Sequence, residues 1–95
     1  MPYRLTLRAE ADLADIFARS LTFFGPRQAE RYRDGLKACL ELIGDNPHIG
    51  RPVRVRPGVR RHEHGRHVIF YREQDGRVLV LAVLHQRRLP DLDKL

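Results

Sequence analysis

The residues best suited to chemistry in this sequence are arginines and histidines of its second half. Cleavage of RNA by its own 2′-hydroxyl requires a base, an acid for the leaving oxygen, and cations that stabilise the crowded phosphorus centre. The acid or base could be His85, which follows a long apolar segment, or His64. The cations could come from five arginines, namely Arg60, Arg61, Arg72, Arg87 and Arg88.

A second candidate is the H-x-H-x-x-H pattern of His62, His64 and His67 around a turn at Gly65. Alternate strand positions share a face, so His62 and His64 could both ligate a metal ion, whereas Glu63 would point the other way. No carboxylate or cysteine completes a ligand set. We therefore predict no metal site and no cofactor. The histidines either make this surface sensitive to pH at about pH 6 to 7, where imidazole titrates, or are simply exposed.

Basic residues are concentrated in the same half of the chain. Residues 1–50 contain seven basic and seven acidic side chains, whereas residues 51–95 contain eleven and five, so the net charge of +6 lies in the second half. Such a surface favours a polyanionic partner, either nucleic acid or an acidic protein segment. Arg51, Arg54 and Arg56 alternate here, and they form either a binding stripe or a solvated edge strand.

Length and composition limit the class of protein. The chain of 95 residues predicts one domain, residues 1–95, and 42% hydrophobic with 32% charged residues is typical of a folded protein. Cys39 is the single cysteine, which excludes an intramolecular disulfide and indicates a reducing compartment. No apolar run approaches the roughly 20 residues that span a membrane, and the N-terminus does not resemble a secretion signal. We therefore expect a cytoplasmic protein without membrane contact.

The elements that must position these residues follow from the apolar spacing. Tyr3, Leu5 and Leu7 alternate with polar residues, which predicts a strand. From about residue 9 the spacing becomes helical, with Asp12 and Asp15 on the wet face as ordinary helix-surface residues. The buried face of this helix is predicted to carry Leu13, Ile16, Phe17, Ser20 and Phe24.

Gly25-Pro26 then breaks the helix, because glycine suits a helix end and proline a helix start. A second helix is predicted to end at Asp45-Asn46-Pro47. Its apolar stripe is Ala29, Tyr32, Leu36, Leu40 and Ile43.

The remaining chain predicts a sheet. A loop or edge segment over 46–58 precedes strands at 59–64 and 67–73, and Asp75-Gly76 predicts a tight hairpin into 77–85. The last strand is apolar at nearly every position, so it needs neighbours on both edges, and we expect it to pair with the first. The predicted fold class is α+β, with the order β-α-α-β-β-β. A helical hairpin packs on one face of a mostly antiparallel twisted sheet.

This order, together with several local phrases, resembles the ParE branch of the ParE/RelE toxins over nearly the whole chain. The phrases are ADLADI, Gly25 followed by Gln28-Ala29 and Tyr32, NPHIGRP, Arg60 after Pro57-Gly58, GRHVIFYR and VLVLAVLHQRR. The resemblance implies an antitoxin whose acidic C-terminal segment wraps around the toxin. Freed ParE-like toxins poison DNA gyrase, whereas RelE-like relatives cleave mRNA on the ribosome, usually with basic residues and a C-terminal aromatic residue or histidine.

The tail after His85, QRRLPDLDKL, contains no aromatic residue, which favours the ParE-like function. We therefore expect a non-enzymatic gyrase inhibitor that forms a hetero-oligomer with an acidic, ParD-like antitoxin and meets nucleic acid only through its target or operon complex. Expected target contacts are Arg60, Arg72, His85, Arg87 and Arg88. Expected antitoxin contacts are Arg51, Arg54, Arg56, Leu13, Phe17 and Tyr32.

Two alternatives stay open. One is a ribosome-dependent mRNA endonuclease that uses Arg60, Arg72, His85 and Arg87. The other is an inactive homologue that only binds its antitoxin.

Overall fold

The computed structural model of the protein describes residues 2–88. The described part contains one five-stranded sheet in the order β1-β5-β4-β3-β2, with β1 parallel to β5 and the other neighbours antiparallel. Along the chain the elements are β1 (Tyr3–Leu5), α1 (Leu7–Asp45), β2 (Arg51–Pro52), β3 (Val59–His64), β4 (His67–Gln74) and β5 (Arg77–His85). The α+β class, the mostly antiparallel sheet and the pairing of the last strand with the first are confirmed.

Helix α1 changes direction at Gly25, whose backbone (φ 84°, ψ 171°) is not helical. A straight helix of 39 residues would be about 58 Å long, yet the longest dimension of the molecule is 38 Å. Residues 7–24 and 26–45 therefore form two arms, and the guanidinium carbon of Arg33 lies 4.8 Å from the centre of the Phe17 ring across them. The predicted break is present, although the two predicted helices are one element interrupted at a single residue.

Both ends of α1 are capped. The Thr6 hydroxyl accepts a hydrogen bond from the Ala9 N–H at 3.0 Å and satisfies one of the free donors of the first turn. At the other end the Asn46 N–H donates to the carbonyls of Leu42 and Ile43. The helix thus ends where Asp45-Asn46-Pro47 predicts.

The sheet is apolar on both faces. Because neighbouring strand residues point to opposite faces, β4 and β5 supply two separate cores. The face beneath the arms contains Tyr3, Ile69, Tyr71, Val78, Val80 and Val83, packed with Leu36, Leu40 and Ile43. The opposite face contains Val53, Val59, Val68, Phe70, Ala82 and Leu84.

The β4–β5 hairpin turns at Asp75 and Gly76, both of which have positive φ angles (54° and 75°). Positive φ at both positions matches the twist of a two-residue hairpin. The turn predicted from the sequence is therefore the observed one.

Three local expectations were wrong. Leu7 was predicted on the first strand with Tyr3 and Leu5, but it begins α1 and is 84% exposed. Phe24 was predicted on the buried stripe but is 55% exposed, because the chain reverses at the next residue and the ring borders a cavity of about 300 Å³. Arg51, Arg54 and Arg56 do not alternate along an extended strand, since only Arg51–Pro52 pairs with β3. The chain then turns, with hydrogen bonds from the Arg56 N–H to the Val53 carbonyl and from the Val59 N–H to the Arg56 carbonyl.

Between residues 2 and 88, no helix combines the length and apolar character that crossing a membrane would require.

The loop between α1 and β2 is held by Tyr71, a fully buried residue of β4. Its hydroxyl donates to the Pro47 carbonyl at 2.7 Å and accepts from the Gly50 N–H at 2.9 Å. Arg60 donates from Nη1 to the Gly50 carbonyl at 2.8 Å. A Cβ atom at position 50 would lie 2.5 Å from the Tyr71 hydroxyl oxygen, so this close approach requires glycine.

We predict that Tyr71→Phe lowers the free energy of unfolding by about 1–3 kcal/mol, because it leaves the loop's carbonyl and N–H groups without their partner. Urea unfolding followed by circular dichroism measures the change. Tyr3→Phe is the matched control, because Tyr3 lies in the same core but its strand is held by backbone pairing with β5. Equal losses for the two variants would show that the loop contact contributes nothing.

Candidate functional site

The end of β5 brings together three of the residues predicted to contact a target. His85, Arg87 and Arg88 line one cavity of about 290 Å³ together with Asp12, Asp15 and Arg19 of the first arm. The backbone here is ordered by hydrogen bonds from the Gln86 N–H to the Arg66 carbonyl at 2.8 Å and from the Arg87 N–H to His85 Nδ1 at 3.2 Å. The result is a cationic edge with an imidazole at its inner end.

Arg60 and Arg72 lie apart from this edge. Arg60 is opposite Tyr71, on the sheet face beneath the arms, where its guanidinium is bonded to Gly50. Arg72 is opposite Val59, on the other face, and donates to the Gln74 side chain at 3.0 Å. The set Arg60, Arg72, His85 and Arg87 is therefore divided between the two faces of the sheet.

A Tyr–His cluster lies beside the cationic edge. The Tyr32 hydroxyl oxygen is 2.6 Å from His67 Nδ1, and the Tyr32 ring lies 5.6 Å and 5.5 Å from the rings of His64 and His67. The His85 ring meets His67 edge-on at 5.4 Å. The pairing of β4 with β5 places His85 opposite His67, so His85 belongs to the cluster. The third histidine of the sequence pattern, His62, lies opposite Ile69 instead.

Burial favours the uncharged forms of His67, His64 and Tyr32. Burial, with His85 and His64 nearby, lowers the pKa of His67 to about 4. Burial and His62 lower the pKa of His64, and burial raises the pKa of Tyr32. A neutral His67 can accept a hydrogen bond from the Tyr32 hydroxyl at its Nδ1 atom. Within residues 2–88, no three histidine, cysteine or acidic side chains converge as a metal ion would need.

Leu13, Phe17 and Tyr32, predicted to contact an antitoxin, line one cavity of about 190 Å³ between the two arms and β1. We call this cavity the arm groove. Its other lining residues include Tyr3, Leu5, Ile16, Leu36 and Leu40, which are apolar, and the cations Arg33 and Lys37. The arm groove is thus an apolar channel with positive charge along it.

The three arginines expected to form a stripe have separate surroundings. Arg51 donates from Nη2 to Glu63 Oε1 at 2.8 Å, between two exposed side chains. Arg54 is exposed, and Arg56 is half-buried within the turn after β2.

Asp12 has a structural role that its place on the wet face did not suggest. Its carboxylate accepts a hydrogen bond from the Val83 N–H at 2.9 Å. β1 pairs with β5 only as far as Leu5 opposite Val80, so the β5 backbone beyond that point needs another partner. The sequence did contain a signal for this contact: the predicted first strand is shorter than the predicted last strand, so part of the last strand's edge had to find another partner.

We predict that acid weakens the fold through His67. Its pKa is about 6.5 in the unfolded chain and about 4 in the folded one, so the unfolded state binds more protons between these values. The stabilisation is complete above about pH 6.5 and is lost as the pH falls towards 4. We expect the free energy of unfolding to fall by about 1–2 kcal/mol. This is less than the full pKa shift of His67 would give, because the ring is only half-buried and water screens it.

Urea unfolding at pH 7 and pH 5 measures this loss. His67→Gln, which retains an acceptor for Tyr32, should reduce the difference between the two pH values. His48→Gln is the control at an exposed histidine. An unchanged pH difference in the His67 variant would contradict the prediction.

The comparisons with known proteins agree with the fold and its length. Residues 3–90 match the family described as the ParE toxin of type II toxin-antitoxin system, parDE. Toxin ParE1 of Caulobacter vibrioides is 45% identical over 86 residues, which cover 90% of this chain and 88% of the relative. Toxin ParE1 of Mycobacterium tuberculosis is 37% identical over 94 residues, covering 97% of this chain and 94% of the relative.

A solved structure described as a chromosomal ParDE TA system from P. aeruginosa has the same fold, with a TM-score of 0.78 at 24% identity. The match covers 90% of this chain and 95% of that one. The family match includes every element from β1 to β5 and the cationic edge at Arg87 and Arg88. The resemblance seen in the sequence is confirmed, and the chain belongs to the ParE toxin family, the toxins of type II toxin–antitoxin systems.

Proposed function

We propose that this toxin acts in the cytoplasm by binding and inhibiting DNA gyrase, without catalysing a reaction itself, until a ParD-like antitoxin neutralises it. The observation that carries the proposal is the cationic edge, where His85, Arg87 and Arg88 line one cavity. Arginine forks suit carboxylates and phosphates equally, so this edge can contact an acidic segment of a protein or the DNA bound to it. Arg60 and Arg72 provide further contacts from the two faces of the sheet.

His67 and Tyr32 are poorly suited to act as the acid or base of RNA cleavage. A general acid or base works best when its pKa is near the working pH. The pKa of His67 is lowered to about 4 and that of Tyr32 is raised, so neither group is tuned for proton transfer near neutrality. Arg72, which the nuclease alternative requires, lies on the opposite face of the sheet from the cluster.

The arm groove is the proposed docking site of the antitoxin. Apolar side chains of a partner helix or extended segment would fill the channel that Leu13, Phe17 and Tyr32 line, and they would supply most of the affinity. Carboxylates beside those anchors would pair with Arg33 and Lys37, which speeds association and selects the partner. Arg51, Arg54 and Arg56 are proposed as outer contacts of the same acidic segment in the hetero-oligomer.

The proposal predicts the outcome of inducing the toxin in cells without antitoxin while DNA and mRNA are followed together. We expect filamentation, the SOS response and intact mRNA, together with inhibition of DNA supercoiling by purified gyrase. Rapid codon-specific cleavage of mRNA would replace this proposal by an endonuclease. A complete lack of growth defect would leave an inactive homologue that only binds antitoxin.

A charge reversal tests the cationic edge. Arg87→Glu with Arg88→Glu should weaken gyrase inhibition at least about tenfold, because each side chain would then repel an acidic surface. Arg77→Glu is the matched control, since Arg77 is exposed at the other end of β5, about 26 Å away by the rise of a strand. Equal inhibition by the double variant and the control would contradict the assignment of the target to this edge.

A further inference from the structure

Two large aromatic side chains stand exposed at the tip of the helical arms. Phe23 and Phe24 are the last residues before the reversal at Gly25, and they are 72% and 55% exposed. Single exposed apolar residues are ordinary on protein surfaces, but two adjacent phenylalanines form a patch that marks an interaction site. Among residues 2–88, nothing covers these two rings, so they are available to a partner.

The patch borders a groove between the first arm and the β3–β4 turn. Two cavities of about 300 and 340 Å³ share Ser20, Phe24, Arg66 and His67, and together we call them the tip groove. The larger one extends to Arg19 and His85, which also line the cavity of the cationic edge. The two phenylalanines are therefore continuous with the surface proposed to contact the target.

The charge of the tip groove indicates the chemistry of its partner. Among the residues of 2–88 that line it, Arg19 and Arg66 are cationic and none is a carboxylate. Arg19 is already bonded to Asp15 at 2.9 Å. Arg66 has no acidic side chain within ion-pair distance in that part of the chain. An apolar group accompanied by carboxylates is the complementary ligand.

The geometry of the rings favours a protein over nucleic acid. The planes of Phe23 and Phe24 are inclined at 58° with centres 6.5 Å apart, so they do not offer parallel platforms for successive bases. Aromatic and arginine side chains around a pocket are instead the usual composition of an energetic hot spot between proteins.

We propose that Phe23, Phe24 and Arg66 anchor the protein target of the toxin, which inserts an apolar side chain flanked by carboxylates into the tip groove. This inference rests on the proposed function, since it assumes that the toxin acts by binding a protein. It adds the helical tip to the target-binding surface, including Phe24, which sequence spacing assigned to the core. The arm groove shares Ile16, Ser20 and Tyr32 with the tip groove. It is not lined by Phe23, Phe24 or Arg66, so substitutions at these three residues separate the two proposed sites.

The test compares Phe23→Ala/Phe24→Ala with Leu7→Ala/Val55→Ala. The control residues are also apolar and exposed (84% and 65%), but they do not line the tip groove. Growth is measured after induction without antitoxin, inhibition of supercoiling is titrated with purified gyrase, and binding to the cognate antitoxin is measured by co-purification. A circular dichroism spectrum like that of the parent confirms folding of each variant.

We expect the tip variant to lose toxicity and to need at least about 30-fold more protein for the same inhibition. Antitoxin binding should be unchanged and the control variant should remain toxic. Arg66→Glu should act like the tip variant, whereas Phe23→Tyr/Phe24→Tyr should retain most activity because the aromatic surface is kept.

Full toxicity of the tip variant would overturn the inference and leave the proposed function intact. Simultaneous loss of antitoxin binding would also overturn it, because the tip groove would then belong to the antitoxin. Binding of a single-stranded oligonucleotide that depends on the two phenylalanines would replace the protein partner by nucleic acid. If the parent chain itself neither stops growth nor inhibits gyrase, the proposed function fails, which is a different result from a toxic tip variant.

Discussion

The structure depends on the burial of β5, a strand that is apolar on both faces and must have hydrogen-bonding partners on both edges. One edge is paired with β4 along its length, but β1 reaches only three residues of the other. The Thr6 hydroxyl, which donates to the Leu81 carbonyl at 3.0 Å, and the Asp12 carboxylate, which accepts from Val83, complete that edge. Two polar side chains at the start of α1 thus make hydrogen bonds to β5 that a longer β1 would otherwise make, and they attach the first arm to the sheet.

That arrangement also determines where the functional groups lie. With β5 held on both edges, its end places His85 opposite His67 and directs Arg87 and Arg88 towards the first arm. Tyr32 reaches the same place from the second arm and holds the β3–β4 turn by accepting a hydrogen bond from the Arg66 N–H. The cationic edge is therefore supported by both arms and by three strands, which suits a rigid binding surface.

The order of elements was predictable because each one leaves a local signal in the sequence. The apolar spacing identified the helical segments and strands, Gly25-Pro26 identified the reversal, and Asp75-Gly76 identified the hairpin. Long-range consequences were not predictable in the same way. Periodicity shows which face of a helix is apolar, but not whether anything covers it, and so Phe24 was assigned to the core.

The site was predicted only in part for a related reason. Whether Arg60 and Arg72 share a face depends on the turn at residues 65–66, which makes His64 and His67 direct neighbours. His64 and His67 are paired and share a face. Arg60 is four residues before His64, an even number, so it lies on that same face, whereas Arg72 is five residues after His67, an odd number, and lies on the other face. The meeting of His67 and His85 also depends on a shift in the β4–β5 register between Phe70 and Tyr71, which no local pattern reveals.

The pairing of β1 with β5 has a consequence for the synthesis of the protein. β1 is synthesised first but cannot pair until β5 has been made, because Tyr3 lies beside Val78. Contacts between residues so distant in sequence form slowly. A nascent chain that has not yet reached Val78 has an unpaired first strand and an incomplete core beneath its arms. The toxin's surfaces are therefore assembled only when β5 has been synthesised.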